Sequence, residues 1–240
     1  MLGNAIGIGM PFMGGAKFDP NQPLHITDEC KVWLDGKDAG QFTLDGTYVD
    51  NWACKGSLHA DVANTNADAT RPTYDINTGR VTFTRTNSTL LQSAAFGAAL
   101  TQPNTVFIVY KITGDISDLE YVFDGYTALR SAFGFYSGNF RLRTTAILYG
   151  GATNANDNIH TALFNGASSE YWINGISVGS GNVGVRELNG IILGSDSIYG
   201  DNADAEIMEV IIYNADISDV DRVKIEGYLS KKYDIPVTTD

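Results

Sequence analysis

Ala205-Glu206-Ile207-Met208-Glu209-Val210-Ile211-Ile212-Tyr213-Asn214 decides the fold class. β-Branched and aromatic side chains in one short apolar run favour a buried strand over a helix. A polar turn, Ile217-Ser218-Asp219, follows at once, and Val220 to Tyr233 then reads as a single closing helix. Ser218 is a good N-cap, Asp219 and Asp221 complement the positive end of the helix dipole, and Lys231 and Lys232 complement the negative end, with Pro236 beyond. The apolar residues of this helix do not form one stripe. Val220 and Val223 share a face with Gly227, while Ile225 and Leu229 lie nearly opposite, which predicts a helix wedged between the body and another segment.

Working back from this stretch, the chain has a strand-like pattern and almost no helix signal. Thr105 to Ile112 is a dense β-branched and aromatic run, expected to be a central strand buried on both faces. Lys31 to Asp35, Gly46 to Trp52, Gly79 to Phe83, Tyr121 to Gly125, Ala132 to Tyr136, Ile159 to Phe164, Glu170 to Asn174 and Gly190 to Gly194 add short strands separated by Gly, Asn and Asp. Phe140-Arg141-Leu142-Arg143-Thr144 alternates apolar and basic residues after Ser137-Gly138-Asn139. That pattern predicts a hairpin with Arg141 and Arg143 on the outer face. The polar stretch up to Ala69 reads as a long surface loop. The spacing is that of an antiparallel sandwich, not of βαβ units.

The whole chain has 240 residues, 43% of them apolar, which is enough for one large β domain. Its formal charge of −12, and the absence of any run of three basic residues, argue against a nucleic-acid partner. No segment reaches the roughly 20 apolar residues needed to span a bilayer, so no membrane partner is expected. Residues 1–24 read as an apolar, Gly-rich docking arm and 25–240 as the domain. The first lysine, Lys17, follows the apolar segment instead of preceding it, so the arm does not read as a signal peptide. Cys30 and Cys54 are compatible with one disulfide or two thiols. His25, His59 and His160 show no metal-site spacing and read as structural or solvent-facing.

Several segments in order resemble the laminin-G-like, concanavalin A-like lectin/glucanase family. Val32-Trp33-Leu34-Asp35 resembles its opening strand. Trp52 before a loop ending in Arg71-Pro72-Thr73-Tyr74, the central run at Thr105 to Lys111, and the hairpin at Tyr171-Trp172-Ile173-Asn174-Gly175 follow the same order. Leu193-Gly194, Glu206 to Asn214 and Ile225 to Tyr233 resemble its closing strand and helix. The resemblance covers about Val32 to Ile235. It implies an all-β, two-sheet antiparallel jelly roll with one C-terminal helix, serving carbohydrate binding or adhesion, and it is similar to domains of bacteriophage tail, fibre and capsid-surface proteins.

Sugar recognition needs aromatic faces for the apolar side of a pyranose and planar polar groups for its hydroxyls. The candidate ligand-binding residues are Tyr126, Arg130, Tyr136, Arg141, Arg143 and Tyr149, with Trp172 added if its ring faces out; Trp33 and Trp52 are assigned to the core. Asp196, Asp201, Asn202 and Asp204 have the oxygen chemistry of a calcium loop. Catalysis is not expected. Glu206 and Glu209 are three apart, which on a regular strand puts their carboxylates on opposite faces, whereas a retaining glycosidase needs two close together. Glu209 reads as a structural acid bonding a loop backbone. The expectation is a non-enzymatic, multicopy phage virion surface protein that binds glycans weakly and multivalently. A purely structural virion connector held by the arm, and a glycan hydrolase, are the alternatives. The expected location is the virion or otherwise extracellular, with carbohydrate or other virion proteins as partners.

Overall fold

In a computed structural model of the chain, residues 30–64, 70–126 and 131–238 are described. The expected N-terminal arm lies outside them. All the ladders are antiparallel and together form two facing layers closed by one helix.

The back layer is centred on β8 (Asn104–Ile112) and β17 (Ala205–Tyr213), the two runs that dominate the sequence pattern. β8 pairs on its other edge with β13 (Asn158–Phe164), which continues through β14 (Ser169–Ile173) to β15 (Ile176–Gly181). The far edge of β17 is shared by β1 (Cys30–Asp35) and β6 (Arg80–Phe83), each taking one half of its length. The front layer runs from β12 (Ile147–Ala152) through β11 (Asn139–Arg143), β10 (Ala132–Tyr136) and β9 (Glu120–Gly125) to β16 (Ile191–Leu193). It continues into β7 (Leu91–Gln92), β4 (Val62–Ala63), β3 (Tyr48–Trp52) and β2 (Phe42–Asp45). β5 (Thr73–Asp75) joins the layers, pairing with β6 and touching β3 through Tyr48 and Thr73.

Strand alternation sorts the side chains of β8 as its pattern implies. Val106, Ile108, Tyr110 and Ile112 enter the core between the layers, and Phe107 and Val109 face the other way. Aromatic contacts lock the layers together: Tyr110 meets Phe140 edge-on at 6.3 Å, and Phe133 meets Phe164 and Tyr171 at 5.8 and 6.0 Å. Two hairpins show the turn chemistry of their sequences. Ser137-Gly138 and Asn174-Gly175 take positive φ at both central positions, the geometry that matches the twist of the paired strands. In the loop that ends in Arg71-Pro72-Thr73-Tyr74, Arg71 forms ion pairs with Asp45 and Asp50, clamping the β2–β3 hairpin.

Helix α1 (Asp219–Tyr233) is capped as expected, with Ser218 Oγ accepting from the Asp221 N–H at 3.2 Å. Its packing differs from the sequence expectation. It rests on the outer face of the back layer instead of being wedged, burying Ile225, Tyr228 and Leu229 against Trp33, Phe107, Val109, Met208 and Ile211. The single stripe is completed by Tyr228 and by the buried carboxyl of Glu226, which a purely apolar reading leaves out, while Val220 stays exposed.

Two further expectations are corrected. β4 lies inside the stretch read as a long loop, and β12 and β15 form in segments not assigned to strands. A register shift between Ile207 and Glu209 breaks the regular alternation of β17. Glu209 therefore joins Met208 on the helix side, and it binds side chains, not a loop backbone. Trp33 Nε1 and Tyr228 Oη donate to its Oε1, and Tyr233 Oη and Lys232 Nζ to its Oε2. Glu206 is held separately by Arg80 at 2.8 Å. Of the two arrangements left open for Cys30 and Cys54, the structure has two buried thiols, packed in different parts of the core; burial pushes the Cys30 thiol up to about 12.

Candidate functional site

The outer face of the front layer carries the main concentration of the sequence candidates. Phe140 and Leu142 of β11 point into the core, so Arg141 and Arg143 point out. Arg141 pairs in register with Tyr149 of β12 on one side and Gly134 of β10 on the other. Tyr136, two residues beyond Gly134, shares this face, and the Arg141 guanidinium lies 5.7 Å from its ring centre. Tyr136 and Tyr149 are 45% and 52% exposed, presenting two aromatic surfaces to solvent on either side of the arginine strand.

A residue the sequence reading passed over organises the centre. Tyr121, at the start of β9, is fully buried and accepts hydrogen bonds through its Oη from both Arg141 Nη2 and Arg143 Nη1, the latter at 2.7 Å. The Arg141 guanidinium also stacks 4.8 Å from the Tyr121 ring centre. Gly134 makes this possible: a Cβ there would sit 2.4 Å from the Glu120 carbonyl oxygen and 2.9 Å from Tyr121 Cδ1. Gly150 does a similar job on β12, where a Cβ would meet the Tyr171 ring at 2.3 Å. The available signals were weak: a Tyr opening a strand, and a Gly between two Phe in Ala132-Phe133-Gly134-Phe135.

Electrostatically the arginines are unusual. Arg141 is 4% exposed, its Nε has no hydrogen-bond partner, and burial holds its guanidinium below the ordinary arginine value. Neither Arg141 nor Arg143 makes an ion pair among the described residues. Asp201 acts on Arg141, and Asp124 and Asp196 on Arg143, only as attraction through space. Arg143 is only half-buried, and the hydrogen bond to Tyr121 raises its guanidinium above the ordinary value.

The remaining candidates go elsewhere. Tyr126 closes the far end of β9, five residues or roughly 17 Å of extended chain from Tyr121; its neighbours are Gly190 and Tyr199. Arg130 lies outside the described residues. Trp172 faces the helix side, not the platform, and its ring is covered by the Arg222 guanidinium at 4.6 Å. With Glu170, Asp216, Ser218 and Asp219, these two line a groove of about 330 Å³. In that groove Arg222 is already neutralised by Glu226 and Asp219.

The four proposed calcium ligands are not brought together. Asp196 Oδ1 accepts from the backbone N–H groups of Gly200 and Asp201, and Asp204 Oδ1 accepts from that of Arg85. Among the described residues, no three His, Cys, Asp or Glu side chains gather as an ion site. The loop uses its acids to fix its own backbone and that of its neighbours.

No protein-family model and no curated protein matches the chain. Solved structures do. A Trypanosoma rangeli sialidase in complex with sialic acid is similar over 88% of this chain and 34% of its own, at 11% identity and a TM-score of 0.54. The same sialidase as a covalent intermediate with 2,3-difluorosialic acid gives the same values. A mutant of it displaying trans-sialidase activity is similar at 12% identity and a TM-score of 0.53. The chain thus spans about a third of the length of these sialidases, and the likeness is one of fold.

These neighbours correct the functional expectation. The similar structures named above are sialidases, that is, glycan hydrolases, which overturns the reading as a phage virion surface protein, whether adhesive or connecting. What stands is an all-β sandwich of the kind found in carbohydrate-related proteins.

Proposed function

We propose that the chain is a carbohydrate-directed sandwich of concanavalin A-like type, working in a glycan-processing setting, and that it engages sugar on the Tyr136–Arg141–Arg143–Tyr149 platform. The observation that carries the reading is the pairing of two exposed tyrosine faces with a fixed arginine strand between them. Aromatic faces take the C–H side of a pyranose, and guanidinium N–H groups, held by Tyr121, take its oxygens. The rigidity of the arginines lowers the ordering cost of binding. Whole-chain sialidase activity is not carried over, because the similarity spans only a third of those chains.

Screening the purified chain against an array of oligosaccharides tests this reading. Tyr136→Ala and Tyr149→Ala should each weaken binding by about tenfold or more, as truncation of a central aromatic contact does, while leaving the thermal midpoint close to that of the parent. Binding that survives both substitutions would contradict the platform.

One observation favours hydrolysis as a second reading. Burial pushes the Glu120 carboxyl up to about 7; the hydrogen bond from the Asp204 N–H and the charge of Arg85 oppose the rise, and the carboxylate charges of Asp204 and Asp118 add to it. A carboxyl raised towards neutrality has the proton affinity that the general acid of a glycosidase needs. Under this reading Glu120→Gln abolishes release of reducing ends from a bound oligosaccharide. Absence of any such release by the parent chain would remove it.

A further inference from the structure

Among the described residues the Arg141–Arg143 pair makes no ion pair, and Asp201, Asp124 and Asp196 reach it only through space; that bears on the ligand. Moving a guanidinium out of water costs several kcal/mol unless a carboxylate or a full set of acceptors replaces the lost hydration. Other buried or half-buried cations described here have such compensation: Lys232 has Asp35 and Glu209, Arg71 has Asp45 and Asp50, Arg80 has Asp157 and Glu206, and Arg222 has Glu226. Arg141 is as buried as any of these, yet with Arg143 it shares only the hydroxyl of Tyr121, and its Nε is left without an acceptor. Two positive charges are thus held on alternate positions of one strand, on an otherwise strongly acidic protein.

We propose that the saccharide taken by this face is anionic, and that its acidic group docks at Arg143 and is held by the field of Arg141. This rests on the glycan reading above. Arg143 supplies the open edge of the receptor, since only its Nη1 is committed to Tyr121, and a planar fork suits a carboxylate or a sulfate. Tyr136 and Tyr149 then flank the sugar ring that carries the group. The overall charge of −12 makes the inference stringent. The whole-molecule field repels a polyanion, so any preference for an acidic sugar must come from this local pair.

The test is titration calorimetry of the full chain with three oligosaccharides of equal length: a galacturonate oligomer, a sulfated galactan oligomer and an uncharged galactan oligomer. The expected result is that at least one acidic oligomer binds about tenfold or more tighter than the neutral one. That preference should fall with added salt, and it should vanish in Arg143→Gln, a half-buried position whose replacement keeps the fold. Which acidic oligomer wins distinguishes carboxylate from sulfate. Equal binding of neutral and acidic oligomers, still sensitive to Tyr149→Ala, overturns the anion while leaving the glycan reading intact. No binding of any oligomer by the folded parent chain overturns both.

Discussion

Glu209→Ala is expected to lower the free energy of unfolding by about 3–5 kcal/mol, the loss seen when one partner of a buried ion pair is removed. The carboxylate is fully buried under α1 and accepts four hydrogen bonds, from Trp33, Tyr228, Tyr233 and Lys232. Removing it takes one of the two carboxylates from the Lys232 ammonium, which keeps Asp35 and the Tyr228 hydroxyl, and leaves the Trp33 indole N–H and a tyrosine hydroxyl without their acceptor. It also undoes the contact that fastens the helix to the bulge in β17. Burial raises the Glu209 carboxyl above its usual range, with Lys232 opposing the rise. Glu209→Gln keeps most of the acceptors' geometry and should cost distinctly less than Glu209→Ala. Urea unfolding of the three proteins checks this, and an alanine variant within 1 kcal/mol of the parent would show that the helix is not held this way.

The second large effect is on acid stability. His160 lies fully buried between the layers, stacked on Tyr110 at 4.1 Å, with its Nδ1 2.7 Å from Tyr171 Oη. Burial alone pulls its imidazole from 6.5 down to about 3. The unfolded chain therefore binds a proton at His160 that the folded chain refuses. Its contribution to stability is fully present above about pH 6.5 and is lost as the pH falls towards 3, at up to about 1.4 kcal/mol per pH unit. Across the window this amounts to about 4–5 kcal/mol. The buried carboxyls Glu120, Glu209 and Glu226 are shifted upward and give the opposite slope. The clean observable is thus the difference between parent and His160→Gln, which retains a polar partner for Tyr171. The variant should lose stability less steeply than the parent between pH 6.5 and pH 4. Parallel curves would mean that His160 is protonated in the folded state.

The sequence carried the fold further than the site. The N-cap at Ser218, the lysines of the last helical turn, and the β-branched runs at Thr105–Ile112 and Ala205–Tyr213 depend on local chemistry and were legible. So was the outward pairing of Arg141 and Arg143, because strand alternation needs no tertiary information. Tyr121 was not legible, since its role depends on the cross-strand position of Gly134 and on the irregular register between β9 and β10. Glu209 was misread for a similar reason: one extra residue in β17 changes which face a side chain takes, and nothing local announces the bulge. Tyr126 looked equivalent to Tyr136 in sequence, yet it stands at the wrong end of its strand. Function was least legible, because one sandwich serves many chemistries and the landmarks that carry the resemblance are mainly core and turn residues.

The measurement that tests the central claim most directly is amide chemical-shift mapping of the isotope-labelled chain during titration with the tightest oligosaccharide of the array. Perturbations should concentrate in β10, β11 and β12, around Tyr136, Arg141, Arg143 and Tyr149, and should disappear in Tyr149→Ala. Perturbations gathered instead around Trp172 and Arg222 on the helix side would place the sugar in the other groove and contradict the account.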